Sequence, residues 1–373
     1  MKEKNYQLGA ELRHELHRHP ELSCEEIWTK NRLAEFLRAH TKSLEIVDRG
    51  RWLYAHYRGN GQGKKIALRA DFDALPIEET IELPYGSECS GVSHKCGHDG
   101  HAATLAAFAL ELEERGTDND VYLVFQHAEE IGAGAVECAV LMDEEQIDEV
   151  YAYHNAPGIP QGSVLVGDGN YSCASMGMSL YFEGKTSHAS APGVGRNPAP
   201  AISRIVLALP QLYRPEDYTG LVLATVIQID LGETAFGTSA GSGVLRLTIR
   251  GQHEKEMYTL RDRINTMANA LCAEYGLSFR VEYCDVFPEN VNERGCTEKV
   301  RAAARRLGLQ LLEREFPEAG SEDFGYFTKR VPGSYFDVGA GEDVTPLHTV
   351  TYDFPDEIIP TAAAVFAELT ELK

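Results

Sequence analysis

The sequence has little of what marks a membrane protein or a nucleic-acid-binding protein. Its longest apolar stretch, AATLAAFAL, is too short to cross a bilayer, and the charged start MKEKNYQLGAELRHELHRHPELS has no apolar signal-peptide core. No run of Lys and Arg is longer than two, and 57 acidic against 35 basic residues give a formal net charge of −22. Such a charge repels nucleic acid and anionic membrane surfaces, so we expect neither as a partner.

The eight cysteines lack the spacing of a disulfide framework, and the chain shows no internal repeat or low-complexity segment. Scattered cysteines fit reduced thiols in a large intracellular protein. Together with the lack of an apolar signal-peptide core at the start, this leads us to expect that the whole chain is the mature protein and lies in the cytoplasm. A chain of 373 residues exceeds the size at which a single core stops growing. We therefore expect two domains.

The first part of the chain alternates strand-like and helix-like segments. β-prone runs at 64–70, 121–126 and 149–153 alternate with helical segments near 98–115 and 132–146. This order predicts an α/β domain with a mostly parallel sheet covered by helices. Ligands of such sheets bind beyond the carboxyl ends of the strands. The polar residues that follow these strands are Asp71, Asp73, His127, Glu129, Glu130 and His154.

The N-terminal region gives two further predictions. Ser23 and Glu26 form an S-x-x-E capping box, which predicts a helix from near Cys24 to near His40. The segment RHELHRHPE contains three histidines whose spacings of three and two do not share one helix face. We interpret these histidines as surface residues.

From about residue 173 the pattern changes to β-α-β-β-α-β, which is the ferredoxin-like arrangement. After it, TEKVRAAARRLG and SYFDVGAG return to helix-and-strand alternation. These observations predict that residues 173–286 form an inserted, smaller lid domain, and that 1–172 with 287–373 form a discontinuous catalytic domain.

The segment SHKCGHDGHAA, residues 93–103, contains an unusual number of side chains that bind metals or carry protons. Cys96 and His98 flank Gly97, which permits the turn needed for both to face one ion. Such a pair alone is weak evidence, because a buried thiol beside a surface imidazole is more common. Asp99 and His101 are candidates for supporting or structural roles.

Two adjacent carboxylates, Glu129 and Glu130, follow the second apolar strand. Neighbouring anions at a concave site raise each other's pKa unless solvent or a cation compensates them. A solvated loop is the commoner fate of such a pair, but hydrolytic metal enzymes need one carboxylate to coordinate and another to take a proton from water. His127 could orient either carboxylate or cap the strand.

His154 follows the third strand and His348 lies in a later loop, and each alone is as well explained by an ordinary hydrogen-bonded histidine. Their convergence with the earlier candidates changes the interpretation. Five ligands are too many for one tetrahedral zinc with an open position, and suit two ions that share a bridge. The five candidates are Cys96, His98, Glu130, His154 and His348.

With these residues identified, the chain resembles the amidohydrolase branch of the aminoacylase and glutamate-carboxypeptidase family of two-metal metallopeptidases. That branch includes hippurate hydrolases, indole-acetyl-amino-acid hydrolases and N-acetyldiaminopimelate deacetylases. The resemblance covers nearly the whole chain, and its motifs occur in the family's order. They are HRHPELSCEE, RADFDALPIEE, CGHDGHAA, HAEEIGAGA, HNAPG, SHASAP, GSEDFGYF and LHTVTYDFPDE.

The resemblance implies a role for each matching residue. It implies the five candidates named above as metal ligands, Glu129 as the general base and Asp73 as a carboxylate that tunes the site. It also implies that the smaller domain forms a homodimer, and that His188 holds the scissile carbonyl in the partner subunit's site. One departure is visible, since GETAFGTSAGSG stands where relatives have an asparagine-containing turn. Substrate contacts from that turn are therefore in question.

The function that we expect is metal-dependent hydrolysis of small-molecule N-acyl amino acids to a carboxylate and an amino acid. The mixed ligands suit two divalent ions, with zinc or manganese first and cobalt or nickel as alternatives. Other interpretations are a short-peptide hydrolase of dipeptidase or carboxypeptidase type, a thiol-dependent amidase in which Cys96 pairs with His98 or His101, and a silent metal-binding homologue.

Overall fold

The computed structural model describes residues 1–315 and 317–373, and these divide into two compact units. The larger unit comprises Met1–Tyr171, Asn290–Phe316 and Asp323–Lys373, and the smaller unit comprises Ser172–Glu289 and Pro317–Glu322. The sequence pattern predicted that residues 317–322 belong to the catalytic domain, whereas the structure assigns them to the smaller unit. The catalytic and lid roles expected for the two units stay predictions.

Some of the helices are long and others are very short. None of those in the described residues is both long and apolar enough to cross a membrane. In chain order they are α1 Glu3–Arg18, α2 Ile27–His40, α3 His98–Arg115, α4 Gly134–Cys138, α5 Val140–Glu144, α6 Ala199–Leu212, α7 Glu254–Tyr275, α8 Arg294–Arg306, α9 Gly325–Thr328 and α10 Ile359–Leu369.

The strands belong to one large sheet, one four-stranded sheet and two short ribbons. In chain order they are β1 Leu44–Asp48, β2 Leu53–Tyr57, β3 Lys65–Asp71, β4 Asp120–Gln126, β5 Glu149–Pro157, β6 Val164–Val166, β7 Gly169–Ser172, β8 Ala174–Glu183, β9 Ser187–His188, β10 Val222–Leu231, β11 Thr238–Ser239, β12 Ser242–Gly251, β13 Ser278–Phe287, β14 Asn290–Asn292, β15 Leu311–Glu313 and β16 Gly333–Gly341.

The large sheet has the order β1-β2-β4-β3-β5-β16-β6-β15. Its central strands β4, β3, β5 and β16 pair in parallel, while β1, β2 and the β16–β6 pair are antiparallel. The predicted mostly parallel sheet is thus confirmed. Asp71, the last residue of β3, lies opposite Gln126, the last residue of β4, so the segments after these strands leave the sheet at the same edge.

Both faces of the sheet are buried. In β4, Leu123 and Phe125 enter a core shared with α1, α3, α8 and α10, whereas Tyr122 and Val124 enter a second core shared with α4, α5 and α9. This alternation follows from the two-residue period of a strand, and double burial is the rule for parallel sheets. The predicted cover of helices therefore lies on both faces.

Helix α3 is the most deeply buried helix of the site, because every residue from His98 to Leu112 is buried. The small alanine side chains of α3 allow α1 to pack closely against it. At Gly9 of α1 the helices are so close that an added β-carbon would lie 2.8 Å from the Ala107 Cβ. An alanine-rich helix that is buried all round holds its first turn rigidly. That first turn carries His98 and, three residues later, His101.

The predicted helix is present and ends at His40 as expected, but its capping box is wrong, because α2 begins at Ile27 and the two expected capping side chains bind elsewhere. The Ser23 hydroxyl donates to Asp73 Oδ2 at 2.7 Å, and Glu26 Oε1 accepts from the Ala128 N–H at 2.8 Å. The first N–H groups of the helix are satisfied by Glu21, whose carboxylate accepts from residues 28 and 29. The helical segment expected at 132–146 is divided between α4 and α5.

The smaller unit has the expected ferredoxin-like topology. Its four-stranded sheet is antiparallel with the order β10-β12-β8-β13. Helices α6 and α7 share one hydrophobic core with this sheet. Strand β10 is an edge strand, and its residues from Val226 to Leu231 are exposed.

Candidate metal centre

The ligand loop before α3 is shaped by one glycine. Gly97 has φ of 95°, in the left-handed region, and a β-carbon there would lie 2.5 Å from Asn155 Oδ1. Only glycine meets both conditions without displacement of its neighbours. The resulting turn places the Cys96 thiol and the His98 ring among the same group of side chains.

The segment after β4 brings the adjacent carboxylates to that loop. Ala128 adopts φ of 49°, and the following backbone N–H of Glu130 donates to Asp73 Oδ2 at 3.0 Å. The other Asp73 oxygen lies 3.0 Å from His98 Nδ1. Asp73 therefore connects the glutamate segment to the first turn of α3 and leaves His98 Nε2 directed away from it.

The five candidate ligands converge at this edge of the sheet. The Cys96 Sγ lies 3.4 Å from both His154 Nε2 and His348 Nε2. Glu130 Oε1 lies 3.7 Å from His98 Nε2 and 3.7 Å from His348 Nε2. Two overlapping groups of possible ligands contain Cys96, one with His98 and His154 and one with Glu130 and His348, and a further group joins His98 and Glu130 to Glu129.

Two buried atoms indicate that this cluster fits a cation. His98 Nε2 and Glu130 Oε1 are inaccessible and have no hydrogen-bond partner among the described residues. A buried polar atom without a partner is costly, and a divalent ion supplies a partner to several such atoms together. The thiolate, imidazole and carboxylate donors are those that borderline transition-metal ions accept.

The electrostatics of the metal-free cluster lead to the same conclusion. Burial raises the pKa of Glu130 to about 7, despite the opposing effect of nearby His98. Burial also raises the pKa of the Cys96 thiol well above its usual value. Burial thus favours the protonated forms of both groups, whereas a bound divalent ion favours the carboxylate and the thiolate. Metal binding at this site therefore releases protons.

Glu129 lies beside the ligands with a different set of contacts. Its side chain is 8% exposed, and Oε2 lies 3.9 Å from His98 Nε2. Its Oε1 receives a long hydrogen bond of 3.4 Å from the Asp323 backbone N–H. The carboxylate is thus held at the cluster's edge, where it can accept and return a proton.

His101 has a supporting position below the cluster. Its Nδ1 lies 2.6 Å from Asp71 Oδ1, and its Nε2 lies 2.5 Å from Asn155 Oδ1. Arg69, which is fully buried, binds the second oxygen of Asp71 at 2.6 Å. Because both ring nitrogens are engaged, His101 is poorly placed to serve as a base for Cys96.

The interpretation of the N-terminal histidines as surface residues is wrong for His17. This side chain is fully buried, with Nδ1 2.7 Å from Asp99 Oδ2 and Nε2 2.9 Å from Glu79 Oε1. Burial lowers its pKa, but the two carboxylates outweigh that effect and raise it to about 9. Asp99 is the partner that α3 supplies, and sequence spacing gave no signal for this pair.

Two other histidines, His127 and His188, belong to none of the possible ligand groups among the described residues. His127 is buried and faces Glu137, with Nε2 3.5 Å from Oε2, so it orients neither of the adjacent glutamates. His188 is exposed in the smaller unit, where its Nδ1 lies 2.7 Å from Ser190 Oγ. It also pairs with Thr238 across the β9–β11 ribbon, so the altered turn at 232–243 and His188 belong to one structural element.

Comparison with known proteins gives a family match over most of the chain. The model of peptidase family M20/M25/M40 matches residues 67–372. The N-acetyl-L-cysteine deacetylase of Bacillus subtilis is 32% identical over 89% of this chain and 80% of its own. The hippurate hydrolase of Campylobacter jejuni is 27% identical over 96% and 94%. A solved structure from methicillin-resistant Staphylococcus aureus, described as a candidate aminohydrolase, has a TM-score of 0.87 at 28% identity and covers 98% of this chain and 96% of its own.

The position of Asp73 generates a prediction for metal affinity. Asp73→Asn replaces one acceptor oxygen by a donor, so the side chain cannot accept from both His98 Nδ1 and the Glu130 N–H. Loss of such a supporting contact weakens metal affinity by about 10–100-fold. Isothermal titration of the metal-free protein measures the change.

The matched control is Asp148→Asn, since among the described residues the Asp148 carboxylate accepts only the backbone N–H of Lys65, in an exposed segment. That variant should bind metal as the wild type does. Unchanged affinity in Asp73→Asn would show that the carboxylate does not orient the site.

Proposed function

The chain belongs to peptidase family M20/M25/M40 and is a hydrolase of amide bonds, and we propose that it cleaves N-acyl amino acids into a carboxylate and a free amino acid. The names of two relatives support N-acyl amino acids as the substrate class. One is named for the deacetylation of N-acetyl-L-cysteine, and another is named for the hydrolysis of hippurate, an acylated glycine.

The observation that carries the proposal is the buried ligand cluster with two polar atoms that lack partners. We assign Cys96, His98, Glu130, His154 and His348 as ligands of two divalent ions, zinc or manganese first, with cobalt or nickel as alternatives. When bound, such ions polarise an amide carbonyl and lower the pKa of water. The residue set exceeds what one catalytic zinc needs and matches two overlapping sites.

Glu129 is the group that moves the proton. Its carboxylate lies beside His98, and the two possible ligand groups that contain Cys96 do not include it. In the proposed reaction it takes a proton from the attacking water and passes it to the leaving nitrogen as the amide bond breaks. The Asp323 N–H donates to Oε1 of Glu129, and Oε2 of the same carboxylate lies 3.9 Å from His98 Nε2, on the side of the assigned ligands.

The thiol-dependent alternative is less well supported by the site. Burial keeps the pKa of Cys96 well above its usual value, so the metal-free thiol is protonated and is a poor nucleophile. Its neighbours are two imidazole Nε2 atoms at 3.4 Å, and a second imidazole on the same sulfur suits a shared metal ligand better than a thiol paired with one base. A peptide substrate differs from an acyl amino acid only in the acyl part, and a substrate panel separates the two.

We also propose that the smaller unit forms a homodimer and supplies His188 to the partner subunit's reaction. The exposed edge strand β10 carries the apolar side chains of Ile227 and Ile229, which are 59% and 48% exposed. An apolar edge strand is a site for pairing with a second chain. His188 has little contact beyond Ser190, as suits a residue that acts on a ligand from outside its own unit.

A cytoplasmic location is the remaining part of the proposal. All eight cysteines are free thiols in the structure. Reduced thiols persist in a reducing compartment, and Cys96 must stay reduced to serve as a ligand.

The test of the reaction is a substrate panel assayed with each metal. The metal-free protein is loaded with zinc, manganese, cobalt or nickel and given acetyl-, benzoyl- and indole-acetyl amino acids alongside dipeptides. Release of a free amino acid from acyl amino acids in preference to dipeptides supports the proposal. Absence of turnover with every substrate and every metal contradicts it and favours a silent metal-binding homologue.

Glu129→Gln should retain the fold and both ions but lose most turnover, because the amide cannot accept the proton. Removal of a general base costs about 10²–10⁴-fold in rate. The measurement is kcat in protein whose metal content has been checked by elemental analysis. Near-normal kcat in the metal-replete variant would exclude Glu129 as the base.

Cys96→Ser should lower metal content, because a hydroxyl is a much poorer ligand than a thiolate while the side-chain volume hardly changes. Elemental analysis after dialysis measures the loss. Cys138→Ser is the matched control, since Cys138 is also a buried thiol but lies in the core beside α5.

Dialysis of the wild-type protein against a strong chelator distinguishes the metal-dependent mechanism from the thiol-dependent one. A strong chelator should abolish wild-type turnover, and metal should restore it. Turnover that survives complete metal removal would instead support Cys96 as a nucleophile.

Mixing His188→Ala subunits with Glu129→Gln subunits should restore part of the activity, because a heterodimer then contains one site with both groups intact. Each parent alone should be nearly inactive with normal metal content. Differently tagged chains show that subunits have exchanged. Exchanged heterodimers that stay as inactive as the parents would rule out action of His188 across the dimer.

A further inference from the structure

Lys95, the residue before the Cys96 ligand, is buried in a way that is rare for lysine. Its side chain is fully buried, and the ammonium binds the Glu79 carboxylate and the Tyr352 carbonyl oxygen, the latter at 2.8 Å. A buried ammonium is retained only with strong partners, because it loses its hydration. Neither partner is a proposed ligand or the proposed base, so the reaction described above does not explain this lysine.

His348 is the proposed ligand with the least support of its own. Its side chain is 52% exposed, whereas His98 is fully buried. Its backbone has φ of 60°, in the left-handed region that is unfavourable for a residue with a side chain. A ligand on such a loop needs an attachment that holds its backbone in place.

The other ligand imidazoles are held through their second ring nitrogen. His98 Nδ1 bonds to Asp73, and His154 Nδ1 lies 2.8 Å from the Asn155 carbonyl oxygen. In the described part of the chain His348 Nδ1 has no hydrogen-bond partner. The orientation of His348 must therefore come through its backbone.

Lys95 provides that attachment at two points. The His348 N–H donates to the Lys95 carbonyl oxygen at 2.7 Å. Four residues later, the Tyr352 carbonyl accepts from the Lys95 ammonium. The segment that carries His348 is thus held at both ends by one residue, and that residue is adjacent in sequence to the Cys96 ligand.

Glu79 fixes the position of the Lys95 ammonium. Its carboxylate also lies 2.9 Å from His17 Nε2 and accepts from the Ser87 N–H at 2.6 Å. The next residue, Thr80, donates its N–H to the Val350 carbonyl at 3.1 Å. Glu79 and Lys95 therefore belong to one buried charge network that contacts the His348 segment from two sides.

We propose that Lys95 is a positioning residue that sets the affinity of the metal site formed by Cys96, Glu130 and His348, by holding the His348 segment against the Cys96 loop. The inference rests on the proposed function, since it concerns the same ligand cluster. The Lys95 ammonium contacts neither ion nor substrate in this role. Its effect reaches the site through the backbone of residues 348–352.

The test measures cobalt(II) binding to the metal-free full-length chain by calorimetry. Lys95→Met keeps the length of the side chain and removes the ammonium, so the Tyr352 carbonyl loses its partner. Loss of a contact that orients a ligand weakens metal binding by about 10–100-fold. We expect a change of this size for one of the two ions, with the other bound nearly as in the wild type.

Lys64→Met is the matched control. Lys64 is also paired with a glutamate, Glu149, but at a partly exposed position that Lys299 shares. It has no contact with the His348 segment among the described residues. Its removal should leave the binding of both ions unchanged.

A double-mutant cycle with His348→Ala distinguishes positioning from general destabilisation. If Lys95 acts through His348, the variant that lacks both should bind cobalt no more weakly than His348→Ala alone, because the shared interaction is lost only once. If instead the losses in cobalt affinity of the two single variants multiply in the double variant, Lys95 acts elsewhere and the proposal is overturned.

The circular dichroism of the metal-free protein shows whether Lys95→Met folds. If it does not fold, a second variant, Glu79→Gln, tests the proposal. Glu79→Gln keeps the lysine but weakens its anchor, and it should weaken the same site by a smaller factor. A folded variant of either kind that binds both ions with wild-type affinity contradicts the positioning role. A wild-type chain that binds no cobalt overturns the proposed function itself, whereas two ions held unchanged by Lys95→Met overturn only this inference.

Discussion

The structure of the site depends on one electrostatic constraint, the burial of negative or potentially negative groups at the end of a parallel sheet. Asp71 and Asp73 are fully buried there, and Cys96 and Glu130 converge on the same space. The aspartates are compensated by protein cations and hydrogen bonds, since Arg69 binds Asp71 and His98 binds Asp73. Among the described residues, Cys96 and Glu130 are compensated only in part, by nearby His98, and Glu130 Oε1 has no hydrogen-bond partner, so the cluster fits a divalent cation.

Much of this arrangement could be predicted because parallel strands end at a common edge. The order of strands and helices, read from apolar runs, places the residues after β3, β4 and β5 together without any knowledge of distances. The glycine between Cys96 and His98 could also be interpreted from the sequence, because a left-handed turn is required to direct both side chains to one place. The position of His348 was different, because its loop lies far along the sequence, so that its inclusion rested on convergence with the other candidates and on the family resemblance.

The supporting residues could not be predicted, because their contacts join segments that are distant in sequence. His17 has the spacing of a surface histidine, and only the packing of α1 on α3 buries it against Asp99. Ser23 has the pattern of a helix cap, but a buried aspartate gives its hydroxyl a stronger partner. In each case a local pattern was overridden by a buried charge that needed a hydrogen bond. Buried charge, rather than propensity, therefore decides the local structure around this site.

The division of the chain into two units separates the proposed chemistry from the proposed selectivity. All five assigned ligands and Glu129 lie in the larger unit, whereas His188 and the altered turn at 232–243 share a ribbon of the smaller unit. Thr238 of that turn pairs directly with His188, so a change in the turn moves the histidine's own backbone partner. Under the proposed function, a different sequence in this turn can change which acyl amino acid is accepted while the five assigned ligands in the larger unit keep their places.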